Sequence, residues 1–223
     1  MQRLIEPEWL DELPADDPRA VRSRGDLRRI NWFMNNTGTV ARALREFPKP
    51  GRVLDIGAGD GAFALRLATQ LRWRDTEFIL VDRQGGLSPK VRAGFDAAKC
   101  PVEFRHCDAL AGLAEISTVD VAFVNLFLHH FDDSRLRQLL GDIAACCRTF
   151  IACEPRRSAF ALAASRCVAL LGCNDVTRHD AVLSVRAGFA GDELSRLWPE
   201  PARWSLTEKS AGLFSHLFVA RRP

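Results

Sequence analysis

Arg52-Val53-Leu54-Asp55-Ile56-Gly57-Ala58-Gly59-Asp60-Gly61 reads as a buried strand, a tight glycine turn and the start of a helix. Glycines suit such a turn because they tolerate dihedrals and close ligand approach that a Cβ would block. Charge separates this turn from an ordinary nucleotide loop. Asp55 and Asp60 bracket it, and two carboxylates sit badly beside a bound pyrophosphate. A ligand carrying a cationic amine and a sulfonium suits them better.

The flanking sequence extends this unit into an alternation. Strands are expected over 52–56, 77–82, 102–107, 119–125 and 149–154, with helices over 62–71, 89–98, 110–116 and 134–146. Near-continuously apolar strands separated by helices are the signature of a mostly parallel sheet covered on both faces. An apolar helix over 159–171, shorter helices over 179–186 and 192–197, and strands over 204–209 and 216–220 follow. The last two strands read as an antiparallel hairpin at the sheet edge. Before the first strand, residues 1–25 carry Pro7, Pro14 and Pro18 among many charges and read as an irregular arm. Helical spacing starts at Asp26, breaks at Asn35-Asn36-Thr37-Gly38, and resumes over 40–47. The expected fold is α/β: a single doubly wound, mostly parallel seven-stranded sheet with helices on both faces, a C-terminal antiparallel hairpin and helical lid elements. The arm and lid helices occupy 1–48, the main domain 49–223, and a helical insertion about 156–190.

A chain of 223 residues with 47% hydrophobic content is long enough for one α/β domain and short for two. Its longest apolar run, Val121 to Leu128, is broken by Asn125 and far below membrane-spanning length. Acidic residues stand where a signal peptide would have its apolar segment, so a cytoplasmic protein without membrane insertion is expected. The cysteines at 100, 107, 146, 147, 153, 167 and 173 form no CxxC pair and read as reduced core residues. No metal site is expected from them. A net charge of +3 implies no strong field for nucleic acid. Arg19, Arg22, Arg24, Arg28 and Arg29, interrupted by Asp17 and Asp26, read as a solvated face with internal ion pairs.

The ordered motifs resemble the class I S-adenosylmethionine-dependent methyltransferases over roughly residues 50–220. The resemblance maps Asp55, Gly57, Ala58 and Gly59 onto the cofactor turn. Asp82, followed by Arg83, takes the place of the acid that holds both ribose hydroxyls, and Asp108 with Ala109 that of the adenine contact. Asn125 and Leu126 lead from the fourth strand toward the double histidine of Leu128-His129-His130-Phe131, a family feature near the cofactor. S-adenosylmethionine is thus the expected cofactor. An NAD-binding oxidoreductase is the competing reading, because Gly57-x-Gly59-x-x-Ala62 fits the dinucleotide fingerprint and Asp82 follows at about the expected ~20 residues. Asp55, Asp60, Asp108 and the closing hairpin stand against it. A non-catalytic adenosylmethionine-binding protein is a further alternative.

Methyl transfer from a sulfonium is a displacement, so alignment and exclusion of water matter most, and a base helps a phenol. Lid residues expected at the acceptor are Trp32, Phe33 and Met34 from the N-terminal helices, and Arg156, Arg166 and His179 from the insertion, with His130. His179 is the first choice for a base, followed by His129, His130 and Glu154, which ends the fifth strand and is expected to face the crevice. RNA or protein methylation is disfavoured, because Asn125-Leu126-Phe127-Leu128 replaces the Asn/Asp-Pro-Pro-aromatic motif of base-amino enzymes. The string from Leu13 to Asn31 also resembles bacterial methyltransferases of aromatic polyketide pathways. That resemblance implies secondary metabolism and O-methylation of a phenolic or quinone-like small molecule. No oligomeric state follows from the residues.

Overall fold

The structure, a computed structural model, describes residues 1–14 and 16–223; Ala15, inside the expected arm, lies outside the described residues. Strands β1 (Arg52–Ile56), β2 (Glu77–Asp82), β3 (Val102–His106), β4 (Val119–Asn125), β5 (Cys147–Pro155), β6 (Ser205–Ala211) and β7 (Ser215–Arg221) form one sheet. Its order is β3-β2-β1-β4-β5-β7-β6. β1 to β5 pair in parallel, while β7 runs antiparallel to β5 and β6. The parallel strands are apolar throughout because both faces are covered, with successive residues entering opposite cores. Leu54, Ile79 and Val124 pack with Leu136, Leu139 and Ile143 on one side. Val53, Phe78 and Phe123 pack with Leu44, Leu67 and Phe95 on the other. The edge strands β3 and β6 are only partly buried, which is why their sequences are mixed.

The helices are α1 (Trp9–Glu12), α2 (Pro18–Met34), α3 (Asn36–Leu44), α4 (Ala62–Leu71), α5 (Pro89–Ala98), α6 (Ala109–Gly112), α7 (Asp133–Cys146), α8 (Ala159–Ser165), α9 (Asp175–Ala187) and α10 (Glu193–Leu197). Two expectations need correction. The irregular arm is helical from Pro18 onward, because Asp17 caps α2 by accepting the Arg19 N–H at 2.7 Å and Pro18 occupies its first turn. Proline there starts a helix instead of bending the chain. The apolar helix expected over 159–171 is broken: α8 ends at Ser165 and a short 3-10 turn spans Val168–Leu171. Leu170 is 87% exposed; an apolar run without a one-sided pattern has no core to bury it.

Candidate active site

The C-terminal ends of β1, β2 and β4 open into one cavity of about 500 Å³. The turns after these strands form its floor, and α2 with the N-terminal arm forms its roof. The arm is fastened over long sequence distance. Arg3 donates to Phe131 O and Ala187 O at 2.8 Å each, and Leu4 N–H donates to Arg186 O at 3.2 Å. The buried Asp180 of α9 accepts the Trp9 and Leu10 N–H groups at 2.9 and 3.0 Å, which caps α1.

At the cofactor end, Gly57 has φ +74°, and a Cβ there would lie 2.4 Å from the Phe127 ring. Both conformation and contact therefore require glycine. Around Gly59 no atom lies within 4 Å of the Cβ position, so a ligand can approach its backbone. Asp82 straps two turns together: Oδ2 accepts Gly59 N–H at 2.8 Å, and Oδ1 accepts Gln84 and Gly85 N–H at 2.8 and 2.7 Å. Three of the roughly four acceptor positions of the carboxylate are thereby used, so a ribose diol at Asp82 shares its remaining position or displaces a loop N–H. Asp55 is buried, and among the described residues its Oδ2 has no hydrogen-bond partner. Burial, then the neighbouring Asp82, pushes its carboxyl well above the usual range. An orphaned acid aimed at a cavity fits a cationic ligand group, and the ammonium of S-adenosylmethionine is one.

Asn125 ends β4 in a cluster, donating to Asn31 at 3.1 Å and accepting from Asn36 at 3.0 Å. Leu126 then takes φ +55°, a left-handed conformation that costs a side-chain-bearing residue ~1–2 kcal/mol. Glu154 secures that turn. It is fully buried and accepts Phe127 and Leu128 N–H at 3.0 and 2.9 Å, and it meets His129 Nδ1 at 2.8 Å. Glu154 therefore anchors the loop from beneath and does not face the crevice as expected.

The other end of the cavity is built from residues of the arm and the double histidine. His129 Nε2 lies 3.6 Å from Glu8 Oε1, and Ser184 donates to the same Glu8 oxygen at 2.5 Å. Burial opposes charge on His129, yet Glu154 and Glu8 outweigh it and hold its pKa at about 9. Glu8 answers: burial pushes its carboxyl up, but His129, His130 and Ser184 bring it down to about 2. His130 is half-buried, lines the cavity, and has Nδ1 3.2 Å from Asp11 Oδ2.

Asp55, Gly57, Ala58, Gly59, Asp82, Asn125, Leu126, His129 and His130 thus meet at one cavity. Other expected residues lie elsewhere. Asp108 is exposed and caps α6 by accepting Leu110 N–H at 2.8 Å, Ala109 is buried beside it, and Arg83 points to solvent. Trp32 is 81% exposed and Phe33 60%, while Met34 is off the lining. The face of α2 turned inward is instead Arg24, Leu27, Arg28 and Asn31, at helical spacing. Arg156 donates to Gly212 O at 3.3 Å, and Arg166 is exposed on the chain after α8. His179 stacks on Trp9 at 3.8 Å and bonds Asp180 at 2.9 Å, outside the lining. It packs against the arm, off the cavity. Glu8, Asp11 and Ser184 escaped sequence reading because only long-range contacts place them.

Residues 53–149 match a family described as a methyltransferase domain. Protein-L-isoaspartate O-methyltransferase 2 of Nitrosospira multiformis is 33% identical over 110 residues, 48% of this chain and 50% of that protein, so the match spans half of the relative. The plantazolicin methyltransferase BpumL in complex with SAH superposes with a TM-score of 0.67 at 12% identity, covering 93% of this chain and 92% of that one. The mitomycin 7-O-methyltransferase gives 0.60 at 17%, covering 96% of this chain and 60% of that one. Residues 53–149 thus match a methyltransferase domain, and the chain as a whole shares the fold of these methyltransferases.

Proposed function

We propose that the chain transfers the methyl group of S-adenosylmethionine to an oxygen of a small molecule, phenolic or quinone-like in character. One observation carries this reading: a single cavity of about 500 Å³ joins the Gly57–Gly59 turn and Asp82 to His130 and Glu8. That volume is in the range of small-ligand sites. Bound cofactor supplies an electrophilic sulfonium methyl. The chain's own residues hold Asp55 toward the cationic amine, offer Asp82 to the ribose, and keep water out with the arm and α2. A pyrophosphate over this turn would face Asp55, Asp60 and Asp82, which argues against NAD. Oxygen as the acceptor atom has support from two relatives named as O-methyltransferases, one of them for mitomycin.

His130, presented to the cavity beside Asp11, is the imidazole that meets the acceptor oxygen. With a phenolic acceptor panel, His130→Ala is expected to lower kcat by about 10²-fold or more while adenosylhomocysteine affinity stays within twofold. Undiminished turnover in that variant would remove His130 from the reaction.

A further inference from the structure

The acceptor end holds more negative charge than an oxygen acceptor wants. Glu8, Asp11 and Glu154 surround the two imidazoles of His129 and His130. An acceptor oxygen losing its proton there would face Glu8 and Asp11 across the cavity, which disfavours the ionised form. A divalent cation would reverse that field.

The donor set suits one. Among the described residues, Glu8, His129 and His130 each offer a ligand atom, and these atoms lie within 4.8 Å of one another. Two imidazoles and one carboxylate are a familiar donor set for catalytic zinc, which keeps a fourth position open. His129 Nε2 and Glu8 Oε1 stand 3.6 Å apart, close to the ~3.3 Å edge of a tetrahedron with bonds of ~2.0 Å. His130 is half-buried, with a side chain 27% exposed, and lines the cavity.

The outer groups point the same way. Metal-bound histidines hand their second nitrogen to a carboxylate or carbonyl, which fixes the ring and raises its basicity. Here Glu154 takes His129 Nδ1 at 2.8 Å, and Asp11 stands 3.2 Å from His130 Nδ1. Each ring thus has its own carboxylate on Nδ1 and keeps Nε2 for a ligand bond. Glu8 is oriented in turn by Ser184 at 2.5 Å.

We propose that Glu8, His129 and His130 form a binding site for a zinc-like divalent cation, open on the side of the cavity. This reverses the expectation of no metal. On binding, any proton held by His129 Nε2 passes to solvent as the ion takes its place. With the O-methylation reading, on which this second step rests, the acceptor oxygen becomes the fourth ligand and loses its proton to solvent, so that His130 acts on that oxygen through the ion instead of meeting it directly. The arm thereby supplies a ligand as well as a roof, so the site is complete only with the arm docked.

The test is calorimetric titration of Zn²⁺ into the full chain, freed of metal by chelation and needing no acceptor. One Zn²⁺ per chain is expected, with affinity falling at least tenfold in Glu8→Gln and in His130→Ala. Adenosylhomocysteine binding and the thermal midpoint serve as folding checks; should His130→Ala fail them, Glu8→Gln decides. Absence of one-to-one binding, or binding undiminished in a folded Glu8→Gln protein, overturns the site. Because the readout is binding alone, a failure of the methylation reading leaves this result standing, and the converse.

Discussion

Asp55 carries a cost in the folded chain, a buried carboxyl with an unpartnered oxygen among the described residues. Its folded carboxyl titrates above its unfolded value, so the fold is unpenalised below the ordinary carboxylate pKa of ~3.9, where both states are protonated. As pH rises from there toward the folded value, the unfolded state ionises first and stability is lost. Asp55→Asn is therefore expected to raise the thermal midpoint of the cofactor-free protein at pH 7, with the gain shrinking below pH ~4, and to weaken adenosylmethionine. Scanning calorimetry across pH checks the first part; a lowered midpoint at pH 7 would contradict the orphaned-acid description. At Gly57 the missing Cβ makes room for the ring of Phe127, the residue after the left-handed Leu126.

Among the elements, the N-terminal arm departs most from its sequence. Asp180 caps α1, His179 stacks on Trp9, and Arg3 ties the chain to Phe131 and Ala187. Asp180→Ala is expected to cost about 1 kcal/mol in stability, as for other lost caps, and to raise the acceptor KM more than it lowers kcat. His179→Ala should leave kcat within a few-fold of wild type at every pH, since the ring lies outside the cavity. A loss of 10² or more that shrinks toward the phenol pKa would restore His179 as a base. Such an arm is hard to read ahead of the structure. Trp9, the residue after Glu8, lies 171 residues from its partner Asp180, in a stretch with no periodicity of its own. The Asp17-Pro18 helix start was present in the sequence, but proline there resembles a bend. Strands β1, β2 and β4 were legible for the opposite reason: burial on both faces leaves an unbroken apolar run.

For the molecule as a whole, the closing hairpin completes the sheet through a buried polar tie. Glu208 accepts Leu194 and Ser195 N–H at 3.0 and 2.7 Å and meets His216 Nε2 at 2.7 Å, which joins β6, β7 and α10. Burial pushes its carboxyl up, but His216 and the Ser195 and Leu194 donors outweigh it and hold it below the usual value. The sign then favours the fold above the ordinary pKa, with that stability lost as pH falls through the lower folded value. Glu208→Gln is expected to cost about 1.5–3 kcal/mol at pH 7, and the gap to wild type should close in acid; an equal gap at all pH values would mean that packing, not charge, carries the tie. The hairpin itself was visible from its paired strands and glycine connection, whereas this tie, like the inward face of α2, depends on which elements meet. The cavity likewise gathers a turn read directly from Asp55, Gly57 and Gly59 and an acceptor end assembled by contacts across the chain.

Calorimetric titration of adenosylhomocysteine into wild type and Asp82→Ala, with NADH as the control ligand, bears on all of this at once. Expected are one site per chain, an affinity lower by about 10- to 100-fold in the variant, or roughly 1.5–3 kcal/mol for bonds to a charged acceptor, and no heat from NADH. A folded wild-type chain that ignores adenosylhomocysteine, or that binds NADH tightly instead, would contradict the account.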